Sequence, residues 1–179
     1  MTTREAYAWV ESDARLDAYC VTAVTGVPLD EVVRRFGGDP ETASRATFED
    51  AFNGAPHPTW ILVDEIGPGV LVAENNGWWG VQEDVGRRVS AGGRLASFYV
   101  NVNAVMAFLC AVDGDVVAWF DPLLEDVPES LAVEAAGLDF GDPVEGSCFA
   151  LLERLTGVPV GERWLLEELH LRVAVPSPY

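Results

Sequence analysis

Polar side chains that could bind a ligand follow one predicted strand in the middle of the chain. Residues 94–100 alternate in character, so Ser97, Tyr99 and Asn101 share one face while the opposite face is apolar. A row of hydroxyl, phenol and amide groups can hold a polar small molecule in a cleft. The same residue types also form tight turns and satisfy buried polar groups, so a purely structural role stays open.

Carboxylates are predicted at the ends of two other strands. Glu74 ends one strand just before a turn, and Asp121 ends another. If the two lie at the same edge of a sheet, they could act as general acid and base or orient a ligand. The sequence assigns a catalytic role to no residue. The ligand-binding candidates are Glu74, Asn76, Trp78, Ser97, Tyr99, Asn101, Asn103 and Asp121.

Motifs that build common reaction centres are missing from the sequence. It has no phosphate-binding glycine loop, dinucleotide fingerprint, zinc-protease helix motif or nucleophile elbow. The two histidines are His57, in a proline-flanked loop, and His170, on the surface of a predicted C-terminal helix. A zinc site built on imidazole would need both. Cys148 stands near a predicted helix start, but it belongs to an apolar stripe, which favours an inert thiol. We therefore expect no metal and no cofactor.

Charge is the most unusual property of this 179-residue chain. Asp and Glu total 29 against 11 basic residues, all of them Arg, for a formal net charge of −18. Binding to nucleic acid or to an anionic membrane depends on basic side chains, so we expect neither as a partner. A protein partner of basic character would be attracted instead.

The negative charge is concentrated in one part of the chain. Residues 95–153 hold eleven acids and no Arg. Eight of those acids lie in 121–145. Such a run is usually a solvated face, but it can also steer a partner. Two adjacent rings, Trp78 and Trp79, stand beside glycines and are not expected to enter one core together, which leaves one ring as a contact residue. The partner-binding candidates are Trp79, Glu125, Asp126 and Glu129.

Length and composition favour one folded unit. With 49% hydrophobic and 10% aromatic residues, the chain can bury a substantial core. We expect a single domain over residues 1–175 and a frayed tail at 176–179. The N-terminal residues lack the apolar stretch of a secretory signal, and the three cysteines form no paired motif, so we expect a cytoplasmic protein.

Periodicity predicts the elements that must position these residues. Strands are predicted at 18–24, 59–65, 70–75, 94–100, 104–112 and 115–120. Helices are predicted at 3–12, 28–36, 47–52, 81–90, 148–157 and 161–172. Because strands follow one another without helices between most of them, we expect an α+β fold with a mostly antiparallel central sheet. The sheet should have about five or six strands, with helices packed against it and a helical C-terminal part.

Several short segments resemble a known family. They include Tyr-Cys-Val-Thr at 19–22, Asn-Gly-Trp at 76–78, Asn-Val-Asn-Ala at 101–104 and Phe-Asp-Pro at 120–122. In this order, over about residues 14–157, they are similar to a small actinobacterial domain family of unknown function, found in Streptomyces and its relatives. The resemblance implies a one-domain cytoplasmic bacterial protein. It implies no activity, cofactor or catalytic residue.

These observations predict a non-enzymatic binding or adaptor protein of the bacterial cytoplasm that recognises a protein partner through an acidic surface. An immunity-like role fits by analogy with other small, acidic, cofactor-free domains. The alternative is a small-molecule-binding protein or a hydrolase-like enzyme. Its residues would be Glu74, Tyr99, Asn101, Asn103 and Asp121. Convergence of those side chains in a concave pocket would favour the alternative, whereas positions in turns or in the core would disfavour it.

Overall fold

One antiparallel sheet organises the part of the chain that the structure describes. The computed structural model describes residues 1–54 and 59–176, so His57 and residues 177–179 of the predicted tail lie outside the described residues. The strand order is β2-β8-β3-β4-β1-β5-β6-β7. The strands are β1 (Tyr19–Thr25), β2 (Ser44–Ala46), β3 (Thr59–Ile66), β4 (Gly69–Asn75), β5 (Arg94–Val100), β6 (Met106–Val112), β7 (Asp115–Phe120) and β8 (His170–Val175).

Short helices fill the connections between the strands. The α-helices are α1 (Leu29–Phe36), α2 (Glu83–Ser90), α3 (Ala132–Ala135), α4 (Glu145–Thr156) and α5 (Glu162–Glu167). Single 3-10 segments are found at Arg4–Glu11, Pro40–Thr42, Glu49–Ala51, Trp79–Val81 and Glu129–Leu131. Both α1 and α2 carry acids in the first turn and Arg in the last, which complements the helix dipole. None of the helices in these described ranges has the length and apolar character needed to cross a bilayer.

Helices cover both faces of the sheet, so the central strands are buried on both sides. On one face, α4, α5 and the N-terminal 3-10 segment pack with Phe98 and Phe149 in one core. On the other face, α1 and α2 pack with Val85 and Leu109 in a second core. The first six residues of β1 are all buried, as expected for a strand between two covered faces.

The predicted α+β class and the antiparallel sheet are confirmed, and all six predicted strands are present. The sheet is larger than predicted, because β2 and β8 add two strands to it. The prediction of a helix over 161–172 is wrong beyond Glu167. Glu168 has extended backbone that ends α5, and β8 then pairs with β3 and β2. Val173 and Val175 are buried on one face of β8, where β-branched side chains suit a strand.

Candidate functional site

A groove opens on the α2 face of the sheet, beside the edge strand β7. Its volume is about 580 Å³, and the aromatic residues lining it are Trp78, Tyr99 and Trp119. Trp119 is 50% exposed, and its indole Nε1 donates a hydrogen bond of 3.2 Å to the carbonyl of Val81. Val105 also lines the groove and is 52% exposed. We call this feature the β7 groove; its lining is mainly aromatic and apolar.

Two carboxylates from the start of α2 complete the lining of the β7 groove. They belong to Glu83 and Asp84, and no basic residue lines the groove. Each acid has an Arg one turn along the helix, at 3.4 Å from Glu83 to Arg87 and 3.1 Å from Asp84 to Arg88. The side chains of these pairs are about half exposed. Ion pairs at such sites contribute little to the free energy of folding, because solvent competes for the charged groups.

Glu74 lies behind the wall of the groove and is buried. Its Oε2 accepts a hydrogen bond from the backbone N–H of Trp79, and its Oε1 accepts one from Gly80, both at 2.8 Å. Burial raises the pKa of Glu74 from its ordinary 4.5 to about 7, although the two N–H donors oppose that shift. The carboxylate therefore positions the segment that carries the tryptophans and does not reach the groove.

A cluster of small polar side chains seals the space around Glu74. Ser97 Oγ lies 2.7 Å from Thr22 Oγ1 and 3.3 Å from Cys20 Sγ, and all three residues are fully buried. A Cβ added to Gly80 would lie 2.1 Å from Thr22 Oγ1 and 2.8 Å from Ser97 Oγ. The cluster leaves no room for a ligand, so Ser97 satisfies its neighbours and takes no part in a cleft.

The turn after β5 uses its asparagines to satisfy its own backbone. Asn101 Oδ1 accepts hydrogen bonds from the N–H of Asn103 at 2.9 Å and of Val105 at 3.1 Å. Asn103 is exposed at the tip of the turn. Both residues therefore have the structural role that Asn commonly has in turns.

Asn76 and Asp121 have similar local roles. Asn76 takes a positive φ of 55°, and its Nδ2 donates to the carbonyl of Asn53 at 2.6 Å. Asp121 Oδ1 accepts from the N–H of Leu123 at 2.9 Å and so closes the turn after β7. The carboxylates of Glu74 and Asp121 do not meet in a shared cleft, because one is buried and the other faces its own turn.

Trp78 and Trp79 both pack against the core on the α2 face, and both are partly buried. The expectation that the two rings would not enter one core together is therefore wrong, whereas a contact role for one of them stays a prediction; Trp78 is the one that lines the β7 groove. The indole Nε1 of Trp79 is buried without a hydrogen-bond partner among the described residues.

The acidic candidates lie after β7 on an exposed segment. Glu125, Asp126 and Glu129 are all exposed, and none of them forms an ion pair with another described residue. Glu125 Oε2 accepts the N–H of Asp121 at 2.7 Å. Leu124, immediately before Glu125, is 79% exposed. The segment therefore presents uncompensated negative charge together with apolar surface.

A second buried polar cluster joins β3 to β8, far along the sheet from β7. His170 Nδ1 lies 2.6 Å from Asp64 Oδ2, and the indole Nε1 of Trp164 donates to the same oxygen at 3.0 Å. His170 is fully buried in a strand, which corrects its expected place on a helix surface. Over the described ranges, no group of three or more His, Cys, Asp or Glu residues is arranged to hold a metal ion.

Comparison with known proteins places the chain in a family. Residues 1–178 match the family model described as "Family of unknown function (DUF6461)". The chain belongs to this family. The resemblance seen in the sequence is thereby confirmed at the level of a family of unknown function, and the match extends beyond residues 14–157. No curated protein and no solved structure matches the chain.

Sequence reasoning missed eight of the ten residues that line the groove of this DUF6461 chain, among them Trp119, Glu83 and Asp84. Only Trp78 and Tyr99 of the eight ligand-binding candidates line the groove. A signal for Trp119 was available in residues 115–120, where Val117 and Trp119 on one face and Ala118 and Phe120 on the other are all apolar. Such a strand is typically buried on both faces, so at the edge of a sheet its apolar face can form the wall of a groove.

Proposed function

We propose that this chain is a non-enzymatic binding or adaptor protein that recognises a basic protein partner through the acidic segment after β7. More specifically, we propose that it has an immunity-like or adaptor role in an actinobacterial cytoplasm. One observation carries it: Glu125, Asp126 and Glu129 are exposed and have no Arg partner among the described residues. Elsewhere on the surface, Glu83 and Asp84 each face an Arg of their own helix, whereas Glu41 and Glu162 are exposed and have no ion pair among the described residues. The segment after β7 differs in that three exposed, unpaired acids lie within five consecutive residues.

Charge and apolar area are both present in this segment. Unpaired carboxylates on a chain of net charge −18 attract a basic surface and speed its approach. The exposed side chains of Leu124 and Val133, at 79% and 80%, offer apolar contact that adds to the stability of a complex. The proposal therefore gives the acids a role in steering and the leucine and valine a role in holding the partner.

The small-molecule or hydrolase-like alternative has less support. Of its five residues, only Tyr99 lines the β7 groove. Glu74 is buried behind the residues that line the groove and accepts a backbone hydrogen bond there. The side-chain oxygens of Asn101 and Asp121 accept hydrogen bonds from the backbone of their own turns. A reaction centre needs titratable groups that reach the same space, and these groups do not.

Affinity capture from the native host tests the proposal. The test variant is the triple replacement Glu125→Gln, Asp126→Asn and Glu129→Gln. A matched control is Glu41→Gln, Glu162→Gln and Glu168→Gln, which removes the same number of charges from exposed sites outside the acidic segment. We expect a stoichiometric partner that the wild type and the control retain and that the test variant loses at moderate salt. Recovery of no partner, or equal recovery by all three proteins, would reject the proposal.

A further inference from the structure

We propose that the β7 groove binds an arginine side chain from an extended segment of the protein partner. The guanidinium would stack on Trp119 and share the carboxylates of Glu83 and Asp84. This inference rests on the proposed function, because it names the part of the partner that the chain recognises. It adds a binding site distinct from the acidic segment, since none of Glu125, Asp126 and Glu129 lines the groove.

Trp119 offers a rigid and accessible aromatic surface. Half of the side chain is exposed, and the hydrogen bond from its Nε1 to the carbonyl of Val81 fixes the ring in place. A ring that is already held loses little conformational entropy when a ligand stacks on it. Trp is also the aromatic side chain that attracts cations most strongly. The same pairing exists within this chain, where the guanidinium carbon of Arg172 lies 4.4 Å from the centroid of Trp60.

The charge of the groove selects a cation. Two of its lining residues, Glu83 and Asp84, are acidic, and no lining residue is basic. The ion pairs of these acids with Arg87 and Arg88 are exposed, so an incoming guanidinium can share the carboxylates at little cost. Arginine suits the site better than lysine, because its planar group both stacks on a ring and forms two parallel hydrogen bonds to a carboxylate.

The shape of the groove suits a segment of chain with an apolar neighbour beside the arginine. Its volume of about 580 Å³ falls within the range of about 300–1,000 Å³ that is typical of ligand sites. Val105 is 52% exposed on the margin and can contact an apolar side chain next to the arginine. Aromatic and aliphatic contacts that surround a charged anchor are typical of the centre of a protein interface.

The test uses a defined peptide and its neutral isostere. Acetyl-Leu-Arg-Leu-amide is titrated into the full chain and compared with acetyl-Leu-citrulline-Leu-amide, while the indole N–H signals of the tryptophans are followed by NMR. We expect the Trp119 and Trp78 signals to shift with the arginine peptide and those of Trp60 and Trp164 to stay in place. The citrulline peptide should bind at least about fivefold more weakly, because it lacks the charge that the ring and the carboxylates attract.

A matched pair of variants keeps the test independent of folding. Val105→Arg places a cation on the margin of the groove, whereas Val102→Arg places the same charge at a 72% exposed site in the adjacent turn that does not line the groove. We expect Val105→Arg to weaken binding of the arginine peptide about tenfold or more and Val102→Arg to leave it within about twofold. Equal binding of the two peptides, or equal effects of the two variants, would overturn the inference.

Capture of the native partner separates this inference from the proposed function. If the triple variant of the acidic segment loses the partner and Val105→Arg keeps it, the proposed function stands and the groove inference is overturned. If Val105→Arg loses the partner and the triple variant keeps it, the groove inference stands and the acidic segment is not the recognition surface. We expect both variants to lose it, and the arginine peptide to compete with the partner for the wild type.

Discussion

Replacing Glu74 by Gln should change how the stability of the fold depends on pH. The wild-type carboxylate is buried and accepts two backbone hydrogen bonds, from Trp79 and Gly80. In the protonated form that prevails below the pKa, the hydroxyl oxygen of Glu74 still has a lone pair for the second N–H, whereas the NH₂ group of Gln has none and faces that N–H as another donor. The variant therefore loses one hydrogen bond at every pH and loses the titration of the carboxylate as well.

The size of the pH effect follows from the pKa of Glu74, which is about 7 in the folded chain against an ordinary 4.5. Because the folded state holds the proton more tightly, this group stabilises the fold fully below the ordinary pKa. That contribution disappears as the pH rises through the folded pKa. At about 1.4 kcal/mol per pKa unit, the raised pKa of Glu74 corresponds to about 3 kcal/mol of folding free energy. About 2 kcal/mol of this stabilisation is lost between roughly pH 5.5 and pH 8.5.

Urea unfolding, followed by tryptophan fluorescence across that pH range, measures the effect. The matched control is Glu65→Gln, which removes an exposed carboxylate from the neighbouring strand β3. We expect Glu74→Gln to be less stable than the wild type by about 1–3 kcal/mol at the acid end, through the lost hydrogen bond. The difference in free energy of unfolding between the wild type and Glu74→Gln should shrink by about 2 kcal/mol toward alkaline pH. The free energy of unfolding of Glu65→Gln should change with pH as that of the wild type does.

Parallel stability curves for the wild type and Glu74→Gln would refute this reasoning. That result would mean that Glu74 titrates in the folded chain as it does in the unfolded chain. A deficit that grows toward alkaline pH would also refute it, because it would show that the ionised carboxylate is favoured by its N–H donors more than it is penalised by burial.

Two further predictions concern packing and buried polar groups. Gly80→Ala should lower the free energy of unfolding by about 3 kcal/mol in thermal or urea unfolding, since its Cβ would lie 2.1 Å from Thr22 Oγ1. The control is Gly161→Ala, whose Cβ would first meet the Cβ of Trp164, at 3.7 Å; equal losses would contradict the packing argument. Asp64→Ala should cost about 2 kcal/mol in urea, because it removes the one carboxylate oxygen that His170 Nδ1 and the indole of Trp164 share; a loss no larger than that of Glu65→Gln would contradict it.

Local patterns predicted two hairpins of the sheet well because turn residues mark the point where one strand ends and the next begins. Asp113-Gly114 ends one strand and begins the next, and Gly67-Pro68-Gly69 does the same for β3 and β4. The two missed strands lack such marks. β2 has three residues, two of them exposed, and its pairing with β8 is set by tertiary structure.

The C-terminal strand was missed because its sequence also fits a helix. Glu168 and Arg172 have the spacing of a helical ion pair, and Trp164 to Leu166 form an apolar run just before them. The partners of β8 are β2 and β3, which lie more than a hundred residues earlier in the chain. Contacts at that separation are absent from a window of local sequence, and here they override the helical pattern.

The candidate site was predicted in part for the same reason. Alternation along residues 94–100 correctly gave Ser97 and Tyr99 a common face, because a strand fixes that alternation. It could not show that Ser97 lies under Gly80 whereas Tyr99 reaches the groove. The groove combines a residue from the turn after β4 with residues from β5 and β7, and the order β4-β1-β5-β6-β7 that joins them follows from strand pairing.

The most direct test of partner recognition by the acidic segment is a calorimetric titration of the purified captured partner into three proteins. These are the wild type, the triple variant at Glu125, Asp126 and Glu129, and the matched control at Glu41, Glu162 and Glu168. We predict that the triple variant binds about tenfold or more weakly and that its affinity depends less on salt, while the control binds within about twofold of the wild type. Equal affinities and equal salt dependence for the triple variant and the wild type would contradict the account.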